Sequence, residues 1–217
     1  MSDPNFHITT PRLYLSYADP SNEAHIDFSL ELINGAPALR SQGSTGTSAA
    51  DRDAARKRIA DTMTSLKNKG FGRYFVWLRP EPSSSSSSPS NTSTPFSSRA
   101  LEPIGSVGLQ LARLEGIKAP TIPDVGFIFL EKHQGKGYAT EAVRVLMKYY
   151  EEEKGISVFS GFTKEDNEGA RGLFRRLGFR NHGVRRVSGI MWSGEDIEAD
   201  TWTWGVDEGV GLEEFGI

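Results

Sequence analysis

The stretch Gln134-Gly135-Lys136-Gly137-Tyr138-Ala139-Thr140 decides how this 217-residue chain is read. It follows Val125–Leu130, a nearly continuous apolar run of the kind a buried strand needs. It opens a helix over Ala139–Glu153, where Val143, Leu146, Met147 and Tyr150 recur at i, i+3, i+4 and i+7. Two glycines let a backbone approach a ligand closely. A helix N-terminus adds unpaired N–H donors and the positive end of a dipole. Strand, glycine turn and helix start together form a cradle for a pyrophosphate. The spacings of the nucleotide P-loop and of the dinucleotide fingerprint are both missing. A plain strand–turn–helix connection has the same letters, so the stretch alone does not choose.

Outward from it, the chain reads as mixed strands and helices. Arg12–Ser16 alternates as a strand, and Tyr74–Leu78 and Ile104–Leu109 read as strands. Glu23–Ile33 fits either a strand or a helix. Ser48–Lys69 reads as a helix with Ala55, Ile59, Met63 and Leu66 on one stripe and Gly70 as its stop. Val158–Phe162 reads as a strand and Asn167–Leu177 as a second strong helix ended by Gly178. Phe179–Ile190 and Thr201–Val206 close the sheet. Between Ser83 and Ser98, 10 of 16 residues are Ser. Such a stretch buries too little to offset its ordering entropy and predicts a flexible loop inserted in a hairpin. A second soft region runs over Gln42–Thr47. We expect one domain over residues 1–217, with the insertion at about 80–100.

Composition removes several function classes. The chain has no Cys, which excludes a cysteine nucleophile, a disulfide scaffold and a thiolate metal site. Its four His are scattered, so no metal is expected. A net charge of −3 gives no basic field for nucleic acid or an anionic membrane surface. No leader or membrane-length apolar run is visible, and a cytoplasmic location is the expectation.

The letters go further. Gln134-x-x-Gly137-x-Ala139 resembles the signature of the GCN5-related N-acetyltransferases, the GNAT superfamily. Thr10-Pro11-Arg12-Leu13-Tyr14-Leu15 is similar to the opening strand of the branch that includes the ribosomal-protein alanine acetyltransferases. Ile104-Gly105-Ser106-Val107-Gly108-Leu109 and Asp124-Val125-Gly126-Phe127 resemble its third and fourth strands. Gly135–Ala142 resembles its helix opening, and Asn167-x-x-Ala170 with Leu177-Gly178-Phe179 its second half. The likeness spans roughly Thr9 to Trp204.

That resemblance implies an α+β (mixed α/β) fold: a central, splayed, mostly antiparallel sheet flanked by about four helices. It implies acetyl-CoA as co-substrate, without a metal. Phe127, Ile128 and Phe129 would pair with the pantetheine arm. Gln134, Gly135, Lys136, Gly137, Tyr138, Ala139 and Thr140 would hold the pyrophosphate. Asn167 would bond the arm, with Ala170 beside it; Asn167 equally fits a plain helix N-cap. Phe174 stands where many members carry the Tyr that protonates the leaving thiolate, and it also fits the apolar stripe of its helix.

An acceptor amine arrives protonated at neutral pH, so a group must take its proton. Asp124, at the position of the family's strand-start glutamate, is the first candidate, and Glu131 the second. Both also read as solvated charges. The amine acceptor is unidentified. Trp192, Trp202 and Trp204 would line its pocket or pack as sheet core. Glu195, Asp196, Glu198 and Asp200 would attract a cation or form a solvated turn. The chain is expected as a monomer or homodimer. A non-catalytic acyl-CoA-binding module is the competing reading, and a nucleotide-binding α/β protein a third.

Overall fold

The computed structural model describes residues 3–42, 49–80 and 94–217. Eight strands form one sheet: β1 (His7–Thr9), β2 (Leu13–Ser16), β3 (Gly72–Leu78), β4 (Pro103–Gln110), β5 (Asp124–Phe129), β6 (Phe159–Thr163), β7 (Arg180–Val187) and β8 (Ile197–Trp204). Their order is β1-β2-β3-β4-β5-β6-β8-β7. Every neighbouring pair is antiparallel except β5 and β6, which run parallel and share one registered pair, Asp124 with Ser160. Past that pair the two strands part, and the sheet is splayed as expected.

Five α-helices lie among the described residues, one more than expected: α1 (Glu23–Asn34), α2 (Ala36–Gln42), α3 (Arg52–Lys69), α4 (Tyr138–Lys154) and α5 (Glu168–Leu177). The ambiguous Glu23–Ile33 run is helical. The Asn22 side chain accepts from Ala24 N–H to cap it, and Ile26, Phe28, Leu32 and Ile33 turn to the core. Asp51 caps α3 in the same way through Ala54 N–H. The supposed soft region begins inside α2, and the rest of it lies outside the described residues.

The sheet has two apolar faces. One packs α4 and α5 against Tyr74, Val76, Val107, Leu109 and Val125. The other packs α1 and α3 against Phe75 and Trp77. Most of the Ser-rich segment lies outside the described residues, but its end does not behave as a loose loop. Phe96 is buried and stacks on His7 at 4.3 Å, and Ser97 N–H and Oγ bond Asn5 Oδ1. The last strand also starts earlier than its sequence suggests, at Ile197, because Ala199 and Asp200 are buried there.

Candidate active site

The splay exposes one edge of β5. Leu130 N–H bonds Ile104 C=O on the β4 side. Antiparallel alternation therefore turns the N–H and C=O of Phe127 and Phe129 towards β6, into the gap. Phe129 C=O accepts from the Gln134 side chain at 3.0 Å, which ties the loop to the strand end. Gly135 and Gly137 sit at φ 73° and 79°, a region that other residues avoid. Gly137 is the N-cap of α4 and, lacking a side chain, makes no cap bond to the first-turn N–H groups. The space where a Cβ of Gly135 would point is open. A glycine turn with uncapped donors is suited to a diphosphate.

This turn is clamped from the start of the chain. Arg12 Nη1 donates to Lys136 C=O at 3.0 Å, and its guanidinium pairs with Glu141 at 2.6 Å. Thr10 Oγ1 and Arg12 N–H also donate to Glu141 Oε1. Burial pushes the Glu141 carboxyl up, but the bonds from Thr10 and Arg12 outweigh it and hold the group below its usual range. Arg12 also lies over the Tyr138 ring at 4.8 Å. Two of the segments that carried the sequence resemblance thus meet as one unit.

The remaining expected residues divide. Asn167 caps α5 by accepting from Ala170 N–H at 3.1 Å. Phe174 is 1% exposed and packs on Phe127, Phe179 and Trp202 as core beneath the fork. Asp124 is buried and accepts from Arg113 Nη2 at 2.6 Å. Glu131 lies outside the fork, 67% exposed at its side chain and paired with Arg40.

On the α1/α3 face, against the same stretch of β5, lies a cavity of about 190 Å³. Its walls include Arg58 and Thr62 of α3 and Arg73 of β3, and its floor is Gly126–Ile128. Asp124 sits on this face one alternate position before Gly126, given the register Gln110–Asp124 and Gly108–Gly126. None of the three anticipated tryptophans reaches the cavity. Trp202 stacks on Phe174, Trp204 packs on Phe159, and Trp192 is exposed. The acidic group is elsewhere too: Asp200 accepts from Trp202 Nε1 and Asn181, and Asp196 pairs with Arg186. Sequence reasoning missed Arg58 and Arg73. The one signal for Arg73 was a cation in an otherwise apolar strand.

A model of the family described as "Acetyltransferase (GNAT) domain" matches residues 12–180, more than three quarters of the chain. The chain belongs to the GNAT acetyltransferase family. It is therefore an acetyl-CoA-dependent N-acetyltransferase, with acetyl-CoA as its co-substrate. Solved GNAT structures share its fold. RimL, a ribosomal L7/L12 alpha-N-protein acetyltransferase solved in complex with coenzyme A, is 18% identical, with a TM-score of 0.63 over 93% of this chain and 99% of that one. The microcin C7 self-immunity acetyltransferase MccE, in complex with acetyl-CoA and AMP, is 17% identical, with a TM-score of 0.63 over 91% and 94%. An acetyltransferase from Agrobacterium tumefaciens is 16% identical, with a TM-score of 0.62 over 92% and 94%. A search of curated protein sequences finds no match. No helix among the described residues is long and apolar enough to cross a membrane, and no group of three metal-ligating side chains occurs among them.

Proposed function

We propose that this GNAT member acetylates a primary amine by direct attack on acetyl-CoA in a ternary complex, in the cytoplasm. One observation carries the reading. The β5 edge at Phe127–Phe129 opens to the gap beside the α4 cradle, and its Gly126–Ile128 stretch floors the cavity on the opposite face. Donor and acceptor then meet across one strand. An amine on a protein N-terminus or lysine and an amine on a small molecule both fit this layout; the likeness to RimL favours the former in kind.

The gap-facing N–H of Phe129 is the donor we assign to the thioester carbonyl, where charge develops as the amine attacks. The turn Gln134–Thr140 holds the diphosphate. Asn167 spends its amide oxygen on the cap and keeps two N–H donors for the arm. Of the two carboxylates, Asp124 shares the cavity's sheet face, so we assign it the amine proton. Arg113 keeps that side chain placed, and Glu131 remains a surface partner of Arg40. With Phe174 in place of a tyrosine, the sulfur departs as thiolate or takes its proton from water or a hydroxyl group.

The test is thiol release from acetyl-CoA across amine classes, with initial rates measured while both substrates vary. Intersecting reciprocal plots support the ternary complex, and parallel plots overturn it. Acetyl-CoA binding with no thiol release for any amine would make the chain a binding module.

A further inference from the structure

The acceptor cavity is built around cations. Arg73 of β3, Gly108 of β4 and Gly126 of β5 are successive lateral partners in the sheet register. The Arg73 side chain lies flat across the row. A Cβ on Gly108 would stand 2.9 Å from Arg73 Cγ, and one on Gly126 would stand 3.0 Å from Arg73 Nη1. The missing side chains make a channel that carries the guanidinium from β3 to the floor of the cavity. Ser106 Oγ accepts from its Nε at 3.4 Å. Desolvation, with the nearby charges of Arg58 and Arg113, pushes the Arg73 guanidinium down to about 10, and Asp124 opposes the shift only in part. Burial lowers Arg58 as well. A guanidinium keeps its charge at neutral pH. Among the described residues that wall the cavity there is no carboxylate.

We propose that the acceptor carries an anionic carboxylate close to its amine, and that Arg73 with Arg58 selects it; this rests on the acetyl-transfer reading above. A desolvated guanidinium gains most from a charge-assisted, forked bond, and carboxylate is the acceptor that matches its geometry. Arg73 Nη1 lies against Gly126, about two residues of strand, or roughly 6.6 Å, before the Ile128 position. An amine at the fork and a carboxylate at Arg73 are then a few bonds apart in one acceptor. The same charges act on the amine. Like charge disfavours the ammonium form and so enriches the neutral nucleophile. It also rejects polyamines and lysine side chains that have no neighbouring acid.

The chemistry has two sources, a free amino acid or an acidic peptide N-terminus, and the experiment separates them. Thiol release is measured with β-alanine and γ-aminobutyrate against their carboxamides. A second arm uses tripeptides beginning with aspartate or glutamate against those beginning with asparagine or glutamine. Melting with and without acetyl-CoA is recorded for every protein. The expected result is a carboxylate-to-amide ratio of kcat/KM of about 10–100 in one arm, the worth of a lost charged hydrogen bond. In Arg73→Gln, and independently in Arg58→Gln, the ratio falls to within about twofold, while the acetyl-CoA melting shift persists. A wild-type ratio near one, a ratio that survives both substitutions, or turnover confined to acid-free amines overturns the proposal and leaves acetyl transfer standing. Absence of any acetyl-CoA melting shift overturns both.

Discussion

The two faces of β5 are built from different materials. On the α4 side the groove proposed for the donor is made of backbone: two positive-φ glycines, uncapped helix N–H groups and an unpaired strand edge. On the α1/α3 side the cavity is walled by side chains of α1, α3, β3 and β4 over the β5 floor, two arginines among them. A backbone site tolerates almost any side chain that keeps the turn, but fails when the turn fails. A side-chain site keeps its shape on substitution and changes what it accepts. The difference predicts loss of binding on one face and loss of selection on the other.

The sharpest break is Gly137→Val. At φ 79° a β-branched residue is strained, and its Cβ would stand 3.5 Å from Arg12 Nη2, the group that clamps the turn. Acetyl-CoA binding by calorimetry should fall by at least about 100-fold, while circular dichroism stays that of a folded protein. Normal affinity would place the donor elsewhere.

Asp124→Asn comes next. The amide is isosteric and cannot take a proton, so kcat should fall by about 10²–10⁴ with acetyl-CoA affinity unchanged. The loss should shrink as pH rises towards the pKa of the amine itself. A lowered melting point with a rate within threefold of wild type would instead make the Arg113 pair purely structural.

Arg12→Ala tests the clamp between chain start and glycine turn. Losing its bonds to Lys136 and Glu141 should weaken acetyl-CoA by about tenfold, with kcat at saturation unchanged. The clamp also carries a pH dependence. Glu141 titrates below its usual range in the fold, so its stabilisation is present at neutral pH. It is lost as pH falls below about 4.5 and through the folded value. Melting curves of wild type and Arg12→Ala should converge in that acid range.

The smallest effect, and one of opposite sign, belongs to Arg73→Met. Removing a desolvated cation relieves a cost, so the melting temperature should rise by about 2–4 °C, equivalent to roughly 1 kcal/mol. A lower melting temperature would mean that Arg73 holds the sheet together rather than serving the cavity.

The same division explains what the sequence made legible. The turn over Gln134–Thr140 could be read because positive-φ glycines and a helix start are written in the letters themselves. Asn167 and the stripes of α4 and α5 followed from capping and periodicity. The acceptor side was opaque for a physical reason: Arg73 and Gly126 become neighbours only through strand register, and Arg58 joins them only through the packing of α3 on the sheet, neither of which a local pattern encodes. The tryptophans and acids near the C-terminal strands offered louder local signals, but Trp202 and Trp204 went into packing and Asp200 into an internal polar cluster, while Trp192 is exposed and Asp196 pairs with Arg186. Phe96 stands out in the sequence as the one large apolar residue of the serine tract, but its docking becomes legible only when His7 is placed beside it.

The row formed by Arg73, Gly108 and Gly126 has an evolutionary consequence. A side chain that must lie over two bare backbone positions cannot be inherited alone. Gly108 is held small by backbone as well, since a Cβ there would run into the Gly72 carbonyl oxygen, so it is fixed by the sheet itself. Gly126 is different: its tight contact is the guanidinium, so a side chain there would displace Arg73, and loss of the arginine would free the position. Arg73 and Gly126 are therefore the coupled pair, and a double-substitution cycle between them should be non-additive. Divergence in acceptor choice on this scaffold would change these two positions together, over a Gly108 that stays fixed.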